Sequence, residues 1–481
     1  MYQIDFNTPC HIHFIGIGGI SMSGFAILLN EKGFTVSGSD CKESAITDKL
    51  ESLGVKVQYE QAASNITNDI DLIVYTAAIS RNNPEYIAAV ESKIPMMDRA
   101  EMVGQVMKNY TDSIAVSGTH GKTTTTSMLS HIFLANDMDP TISVGGILNA
   151  IHGNIRIGQS EHFITEACEY TNSFLKFHPT TGIILNIDAD HLDFFKDLDD
   201  IRNSFHRFAL VLPEDGLLVL NGEIEQQDFL LKDVKSNIVT YGYDKKFTEW
   251  NPASEKIPYN YYAANISFDD NGYGSFDVYT NRNSRTNPSD NTYLGRIRLN
   301  VVGEHNISNA MAAVAVALES EAIAFEMIQK GLSEFKGTNR RFEYKGNLGG
   351  ITIIDDYAHH PTEIKATLTA AKNYPHKTLW CVFQPHTYSR TRALLHEFAE
   401  ALVLADKVIL ADIYAAREKD PGDISSVTLK QELEKLGKEV YYFPSFGEIE
   451  DFILTNCEQN DLLITMGAGN VVEIGEFLLG K

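Results

Sequence analysis

The chain has 481 residues, 22% of them charged, and its 40 basic and 64 acidic side chains give a formal net charge of −24. At roughly 150 residues per domain, this length predicts about three domains, each large enough to bury its own core. An acidic balance of this size repels phosphate backbones and anionic lipid heads, which argues against binding to nucleic acid or to a membrane surface.

The five cysteines are scattered, odd in number and without a C-x-x-C pair. This pattern argues against a disulfide framework and a thiolate zinc site, so we expect the reducing compartment of the cytoplasm. The most apolar N-terminal stretch, residues 14–29, is interrupted by glycines and polar residues and follows no basic segment. We therefore expect neither a signal peptide nor a membrane span.

Apolar runs alternate with helical patterns along the chain, which predicts parallel α/β sheets. The first part has predicted strands at 11–17, 35–38, 55–57 and 72–76, and a helix at 22–29. After a boundary near Asn109, a second part has predicted strands at 113–117, 163–165 and 182–186. A third part has predicted strands at 352–355, 378–383, 407–411, 439–443 and 462–466.

A stretch rich in Tyr, Asn and Asp, residues 250–302, precedes the third part. Apolar positions alternate at 261–268, 274–279 and 294–301, which predicts an antiparallel β insertion. An Ala-rich helix at 307–318 and a link around Gly337 follow. We therefore predict three α/β domains, at residues 1–108, 109–333 and 334–481.

The clearest chemical signal is a glycine-lysine turn between a predicted strand and a helix. Its glycines let backbone N–H groups approach phosphate oxygens, and the helix N-terminus adds positive potential. The turn departs from the common G-x-x-x-x-G-K-[ST] loop because Val116 occupies the first glycine position. It predicts a nucleotide site in which Lys122 reaches the terminal phosphates and Thr123 holds Mg²⁺, and a turn without a ligand is the alternative. The candidate ATP-binding residues are Gly118, Thr119, His120, Gly121, Lys122, Thr123 and Thr124.

A second glycine-rich turn follows the first predicted strand, and Asp40 ends the next strand at the distance typical of a dinucleotide fingerprint. Ser21 stands where the third glycine belongs, which favours a diphosphate ligand over NAD. A purely structural turn is the alternative. The candidate substrate-binding residues at this end of the first sheet are Gly16, Gly18, Gly19, Ile20, Ser21, Asp40 and Thr76.

Two further polar residues follow apolar strands. Glu166 ends the predicted strand 162–165, where carboxylates of α/β sheets project into the ligand crevice. His191 lies among several aspartates, an oxygen-rich neighbourhood that suits magnesium. Nearby Glu169 is open to a second interpretation, in which it only caps or solvates a turn. Asn306 is likewise open to a role as the N-cap of the helix at 307–318.

Several ordered motifs resemble those of the Mur ligase family. They include the P-loop G-T-H-G-K-T-T and the segments 166–169 (EACE), 355–361 (DDYAHHP) and 384–390 (QPHTYSR). The resemblance implies a Rossmann-like N-terminal domain that binds UDP, a central ATPase domain, and a Rossmann-like C-terminal domain that closes over the site. Many relatives carry glycine, aspartate and arginine where this chain has Ser21, Cys168 and Thr387.

The resemblance also implies an activity. An ATP- and Mg²⁺-dependent ligase would activate the carboxylate of UDP-N-acetylmuramate as an acyl phosphate and join it to L-alanine, in bacterial cell-wall precursor synthesis. Catalysis would fall to Lys122, Glu166 and His191, and the metal ligands would be Thr123, Glu166 and His191. The ATP site would add Asn306, Asn309, Arg341 and Asp356. The amino-acid side would comprise Tyr357, His359, His386 and Arg390.

Three other interpretations remain open. A ligase of the same family could instead attach an intact tripeptide to the same sugar nucleotide. A nicotinamide-dependent oxidoreductase would explain residues 16–40 and nothing after them. A non-catalytic, nucleotide-gated binding protein would explain the P-loop but not Glu166 or His191. The oligomeric state, monomer or homodimer, is also open.

Overall fold

The structure is a computed structural model, and it describes residues 2–243, 259–282, 292–416 and 418–481. It confirms the predicted α/β architecture, with three sheets that follow one another along the chain. Among the described residues, no helix combines the length and the apolar character needed to cross a bilayer.

The N-terminal sheet is wholly parallel and is covered by helices, as its buried apolar strands require. Its strands are β1 (His11–Ile15), β2 (Thr35–Ser39), β3 (Lys56–Gln58), β4 (Leu72–Tyr75) and β5 (Met96–Asp98). Its helices are α1 (Ile20–Glu31), α2 (Ala45–Ser52), α3 (Pro84–Ser92) and α4 (Arg99–Met107). The strand order is β3-β2-β1-β4-β5, so the chain reverses direction across the sheet between β1 and β4. Ligands of open α/β sheets bind at such a switch point.

The central sheet has ten strands. They are β6 (Asp112–Ser117), β7 (Thr141–Leu148), β8 (Gly153–Arg156), β9 (His162–Ala167), β10 (Thr181–Ile184), β11 (Leu217–Asn221), β12 (Asn237–Tyr243), β13 (Tyr261–Phe268), β14 (Tyr273–Thr280) and β15 (Thr292–Val302). The accompanying helices are α5 (Lys122–Ala135), α6 (Leu198–Ala209), α7 (Gln227–Leu230), α8 (His305–Glu319) and α9 (Phe325–Glu334). The strand order is β15-β14-β13-β12-β11-β10-β6-β9-β7-β8.

The predicted antiparallel strands are confirmed at β13, β14 and β15. They do not form a separate sheet, because β13 pairs in parallel with β12 and so extends the central sheet. The parts of the predicted insertion at 250–258 and 283–291 lie outside the described residues.

The C-terminal sheet contains β16 (Glu343–Leu348), β17 (Ile351–Asp356), β18 (Leu379–Phe383), β19 (Lys407–Leu410), β20 (Val440–Tyr442) and β21 (Leu462–Met466). Its helices are α10 (Pro361–Ala371), α11 (Tyr388–Ala393), α12 (Leu395–Leu402), α13 (Ser426–Lys435), α14 (Phe446–Asn456) and α15 (Val472–Leu478). The strand order is β16-β17-β21-β18-β19-β20, and only β16 runs antiparallel to its neighbour.

The N-terminal and central parts share one apolar core. Phe25 on α1 packs against Phe163 on β9, with ring centroids 6.4 Å apart. Helix α4 approaches the central part so closely that a Cβ on Gly104 would lie 1.9 Å from the carbonyl oxygen of Lys176. Only glycine fits this contact, so the packing fixes the position of the first sheet against the second.

Helix α8 positions part of the nucleotide crevice. Residues 309–317 on this helix are buried without a break, because it lies between α5 and the central sheet. A helix that is apolar on all sides is typical of such an interior position. Its alanines allow close approach, and its N-terminus lies beside the P-loop.

Candidate active site

A cavity of about 720 Å³ lies between the carboxyl ends of the central strands and the C-terminal domain. The P-loop opens into this cavity because it follows the carboxyl end of β6. In the strand register, Ser117 at that end lies beside Ala167 on β9 and Ile184 on β10. The cavity brings together residues from widely separated parts of the chain, several of them residues that we expect at the ATP site. They include His120, Gly121, Thr124, Asn306, Asn309, Arg341 and Asp356.

The P-loop folds the Lys122 side chain back over its own turn. Its Nζ donates to the carbonyl oxygens of Gly118 at 2.5 Å and Thr119 at 3.0 Å, and it forms an ion pair with Glu169 Oε2 at 3.0 Å. Burial opposes the charge on Lys122, but the Glu169 carboxylate outweighs it and raises the pKa of Lys122. Glu169 is only 2% exposed, so the interpretation that it merely caps or solvates a turn is wrong.

Two helix N-termini meet at Gly121. This residue has φ +85°, and a Cβ on it would lie 2.4 Å from Oδ1 of Asn309. Asn309 Nδ2 donates to Asn306 Oδ1 at 3.1 Å, and Asn306 Nδ2 donates to the carbonyl oxygen of Val302 at 2.7 Å. The alternative interpretation of Asn306 as a helix N-cap is wrong, because α8 begins at His305 and Asn306 lies inside its first turn.

Two of the candidate metal ligands, Glu166 and Thr123, approach neighbouring residues of strand β7. Glu166 lies within β9, and its Oε1 accepts a hydrogen bond from the Gly145 N–H at 2.5 Å. Thr123 approaches the next residue of β7, since a Cβ on Gly146 would lie 3.3 Å from its Cγ2. A side chain at Gly145 or Gly146 would fill the space next to the Glu166 carboxylate and Thr123.

His191, in the loop after β10, approaches Glu169, the ion-pair partner of Lys122. Its Nε2 lies 3.9 Å from Oε1 of Glu169, a buried oxygen without a hydrogen-bond partner among the described residues. Burial lowers the pKa of His191, which favours the neutral imidazole that binds metals. The Thr123 hydroxyl and the Glu166 and Glu169 carboxylates are oxygen donors of the kind that Mg²⁺ prefers, and the unpartnered Glu169 oxygen is a group that a cation would satisfy. His191 adds a nitrogen donor beside Glu169.

A second cavity, of about 210 Å³, adjoins the segment 189–193. Its walls contain four residues predicted for the amino-acid side, Tyr357, His359, His386 and Arg390. Burial lowers the pKa of His359 and His386 to about 4, so both imidazoles are neutral near pH 7. The cavity therefore presents Arg390 as a cation beside two neutral imidazoles.

Arg390 has an acidic partner that the sequence did not indicate. It lies in the short helix α11, which follows β18 after a short loop. Its Nε donates to Asp190 Oδ1 at 3.0 Å, and its NH1 lies 3.0 Å from His386 Nδ1. Asp190 comes from the central part of the chain, so this ion pair spans the domain interface.

Asp356 and Arg341 lie on the C-terminal side of the nucleotide cavity. The Asp356 carboxylate accepts hydrogen bonds from the N–H groups of Phe342 and Ala358, each at 2.8 Å, and its burial raises its pKa to about 6. The Arg341 guanidinium lies 5.3 Å from the centre of the Tyr357 ring, a cation–π contact.

The glycine turn of the N-terminal sheet gathers its predicted residues at the switch point. The Gly18 N–H donates to Asp40 Oδ2 at 2.8 Å, and a Cβ on Gly16 would lie 2.6 Å from Cγ2 of Thr76. Ser21 Oγ accepts a hydrogen bond from Arg99 at 3.0 Å. Neighbouring Gly19 precedes α1, and Ile20, its first residue, is 61% exposed.

Sequence reasoning missed a polar cluster that joins the P-loop to the C-terminal domain. His120 Nε2 lies 3.2 Å from Asp188 Oδ2, and His120 Nδ1 lies 3.3 Å from Glu363 Oε1. His360 completes the cluster, with its ring centroid 4.7 Å from that of His120. The only signal in the sequence was the presence of polar runs around 188–193 and 359–363, which does not reveal that the two runs meet.

Family models match most of the chain. The model described as "Mur ligase family, catalytic domain" matches residues 11–111, "Mur ligase middle domain" matches 116–317, and "Mur ligase, glutamate ligase domain" matches 340–469. The chain belongs to the Mur ligase family.

Relatives of this chain cover its full length. The UDP-N-acetylmuramate–L-alanine ligases of Lachnoclostridium phytofermentans and Agathobacter rectalis are each 56% identical over 481 residues, covering 100% of both chains. Among solved structures, the UDP-N-acetylmuramate-alanine ligase of Thermotoga maritima matches with a TM-score of 0.76 and 29% identity over 98% of both chains. A murein peptide ligase of Psychrobacter arcticus, 24% identical with a TM-score of 0.68 over 98% of both chains, shares the fold.

Proposed function

We propose that this chain is an ATP-dependent ligase that joins L-alanine to the lactyl carboxylate of UDP-N-acetylmuramate, a step in peptidoglycan precursor synthesis. The observation that carries the proposal is 56% identity over all 481 residues to enzymes named for that reaction. The arrangement of the two cavities on either side of the segment 188–191 supports it, because the reaction has to bring an activated carboxylate and an amine together.

Three parts of the chain divide the work in this proposal. The N-terminal part binds the UDP group beside the glycine turn at Gly16 and Gly18, at the switch point of its sheet. The central part holds the ATP phosphates at the P-loop. The C-terminal part contributes Asp356 to the nucleoside and Arg390 to the amino acid.

Lys122 meets the electrostatic demand of the first step. Transfer of a phosphoryl group from ATP to a carboxylate brings two anions together, so the developing charge has to be stabilised by fixed positive groups. In the structure Lys122 is bound to Glu169 and to two carbonyl oxygens of its own turn. Binding of the phosphates would exchange these partners for phosphate oxygens, which keeps Lys122 charged and positioned throughout.

Thr123, Glu166 and His191 would hold Mg²⁺, with Glu169 beside them. When bound, the ion would neutralise charge on the phosphate oxygens of ATP. The residues of this chain then align the substrates: the P-loop N–H groups hold phosphate oxygens, and Asn306 and Asn309 fix the position of α8 against Gly121.

Arg390 would orient the incoming amino acid. An amino acid has to be held by its carboxylate if its amine is to face the acyl phosphate, and a guanidinium offers donors that match a carboxylate. Neutral His359 and His386 do not repel the substrate ammonium group, which releases a proton to solvent as the amine becomes nucleophilic. The amine then attacks the acyl carbon, the C–N bond forms, and phosphate leaves.

A phosphate-release assay tests the proposal. Phosphate is expected only when ATP, Mg²⁺, UDP-N-acetylmuramate and L-alanine are all present, and mass spectrometry is expected to show the alanyl product. Release with an intact tripeptide but not with L-alanine would instead identify a ligase that recycles tripeptides. Release without any amine would contradict both. Five free cysteines support placing the reaction in the cytoplasm.

A further inference from the structure

The cluster of His120, Asp188 and His360 offers metal-ligating groups to which the proposed ligase function assigns no metal. His120 and Asp188 line the nucleotide cavity, and the His360 ring lies 4.7 Å from that of His120. His120 belongs to the P-loop, Asp188 to the loop after β10, and His360 to the residue that precedes α10. One ligand atom from each of the three lies within 4.8 Å of the other two.

We propose that His120, Asp188 and His360 form a transition-metal site, filled best by Zn²⁺, that joins the P-loop to the C-terminal domain. Zn–N and Zn–O bonds of about 2.0–2.2 Å place tetrahedral ligands about 3.4 Å apart. Asp188 Oδ2 lies 3.2 Å from His120 Nε2 and 3.9 Å from His360 Nδ1. Small side-chain rotations bring all three atoms to that spacing, and the adjoining cavity leaves a fourth position for water.

The second shell is the independent observation that supports a metal. Ligand side chains of metal sites are held by outer hydrogen bonds, and each ligand here has one. His120 Nδ1 lies 3.3 Å from Glu363 Oε1, and His360 Nε2 lies 3.1 Å from the carbonyl oxygen of Ala189. The Thr362 hydroxyl donates to Asp188 Oδ2 at 2.6 Å.

These outer bonds also set the tautomer of His360. Because its Nε2 faces a carbonyl oxygen, that nitrogen carries the proton and Nδ1 keeps a free lone pair. Nδ1 now accepts the N–H of Thr362 at the start of α10, and this contact is the one that Zn²⁺ replaces. Burial lowers the pKa of His360, which keeps the ring neutral and able to bind a metal.

The donor set separates this site from the Mg²⁺ site. Two imidazoles and one carboxylate favour Zn²⁺ and its neighbours in the transition series, whereas Mg²⁺ prefers oxygen ligands in octahedral geometry. The site also spans the domain interface, since His120 and Asp188 belong to the central part and His360 to the C-terminal part. Bound Zn²⁺ therefore holds the two parts together and inhibits turnover, because substrates enter and products leave between them.

A second cluster, Asp112, His162 and Glu321, provides a matched control. It lies at the opposite end of β6 and β9, and its three ligand atoms are also within 4.8 Å of one another. Both carboxylates converge on the same nitrogen, with His162 Nδ1 2.9 Å from Asp112 and 3.6 Å from Glu321. This cluster therefore offers one imidazole nitrogen where the proposed site offers two, and both of its carboxylates already bind that nitrogen, so we expect no Zn²⁺ there.

The test is a Zn²⁺ titration of the full-length chain against a chromophoric chelator, with excess Mg²⁺ and without substrates. We expect one Zn²⁺ per chain, and at least about a tenfold loss of affinity in Asp188→Asn and in His360→Asn. The second variant keeps a side-chain acceptor at the start of α10, which protects the fold. His162→Asn and Glu166→Gln are expected to bind Zn²⁺ like the wild type.

Thermal unfolding gives a second readout. Zn²⁺ is expected to raise the midpoint of the wild type, since it binds only the folded chain, and to leave that of His360→Asn unchanged. Unchanged affinity in both ligand variants would overturn the proposal. Loss of binding in His162→Asn would move Zn²⁺ to the control cluster, and loss in Glu166→Gln would move it to the Mg²⁺ site, and either result also overturns it. Because the titration uses no substrate, its failure leaves the ligase proposal untouched.

Discussion

Arg390 and Asp190 form an ion pair across the interface of the central and C-terminal parts, with Nε and Oδ1 3.0 Å apart and side chains only 11% and 8% exposed. Burial alone would raise the pKa of Asp190, but the charge of Arg390 outweighs it and lowers that pKa. The pair orients the guanidinium, whose NH1 also contacts His386.

Arg390→Lys is expected to raise the KM for L-alanine by about tenfold or more, with little change in the KM for ATP. Lysine keeps the charge but loses the planar fork that serves Asp190 and a substrate carboxylate together. Steady-state kinetics with each substrate varied in turn measures both constants. Arg392→Lys is the control, because Arg392 is half exposed and pairs with Asp423 on the surface. Equal rises in both constants, or none for L-alanine, would place Arg390 outside the amino-acid site.

Lys122→Ala and Glu166→Ala are each expected to lower turnover by a hundredfold or more, since one lost charge-stabilising contact commonly costs about that much. Binding of UDP-N-acetylmuramate, measured by calorimetry, is expected to persist because the N-terminal part supplies it. Residual turnover above about a tenth of wild type would contradict the role of the residue changed.

Lys122→Ala also removes the partner of a buried carboxylate. Glu169 is left buried and uncompensated, which typically costs about 3–5 kcal/mol of stability. The double variant Lys122→Ala with Glu169→Gln is therefore expected to recover the thermal midpoint but not turnover. If the double variant recovered turnover as well, Lys122 would be a structural residue only.

Gly121→Ala is expected to weaken ATP binding by about tenfold or more without affecting UDP binding. Residue 121 has φ +85°, and its new Cβ would meet Asn309 Oδ1 at 2.4 Å, so the P-loop and α8 have to separate. Gly447→Ala is the control, because nothing lies within 4 Å of a Cβ there. Equal ATP affinity in the two variants would show that the contact between Gly121 and Asn309 does not shape the nucleotide site.

UDP is expected to compete with UDP-N-acetylmuramate, whereas NAD(H) and NADP(H) are expected not to bind. In dinucleotide enzymes the acidic residue after the second strand receives ribose hydroxyls, but here Asp40 accepts the Gly18 N–H. Ser21, in the position of the third glycine, is bound to Arg99. Calorimetry with each nucleotide is the measurement, and tight binding of NAD would show that the turn is a dinucleotide site.

The thermal midpoint of the wild type minus that of His120→Gln is expected to decrease as the pH rises from about 6.5 to about 9. Both midpoints are measured with a zinc chelator present. Burial opposes the imidazolium, but Asp188 and Glu363 outweigh it and raise the pKa of His120 to about 9. A raised pKa in the folded state means that the ion pairs stabilise fully below about 6.5 and lose their effect as the pH rises through 9. Their contribution is at most about 3 kcal/mol.

The groups that face His120 keep their charge between pH 6.5 and pH 9, so the titration of His120 itself accounts for the expected change. Asp188 and Glu363 have lowered pKa values and stay ionised throughout it, His360 is kept neutral by burial, and Arg341 lies 4.0 Å from Glu363. A difference between the two proteins that is constant from pH 6 to 9 would show that His120 is neutral in the folded chain.

The sequence identified those parts of the site whose functional residues are neighbours along the chain. The P-loop combines its strand end, its glycines and Lys122 within 117–124, so a short segment was enough to predict it. Most of the parallel strands were predictable for a similar reason, since buried β-branched runs between turns are typical of them. Short or polar strands such as β5, β8 and β16 lack that pattern and were not predicted. The more apolar strands β7, β11 and β12 of the central sheet were not predicted either.

Contacts between distant segments depended on the tertiary structure. The sequence predicted that Arg390 and His191 belong to one site, but it could not show that Asp190 binds Arg390, 200 residues away. It could not show either that Glu169 is the partner of Lys122, or that His120 meets Glu363. The residue type and its neighbours in the sequence indicate what a side chain is able to bind. Its actual partner and its pKa depend on the surrounding charges and on its burial, which only the packing of the domains determines.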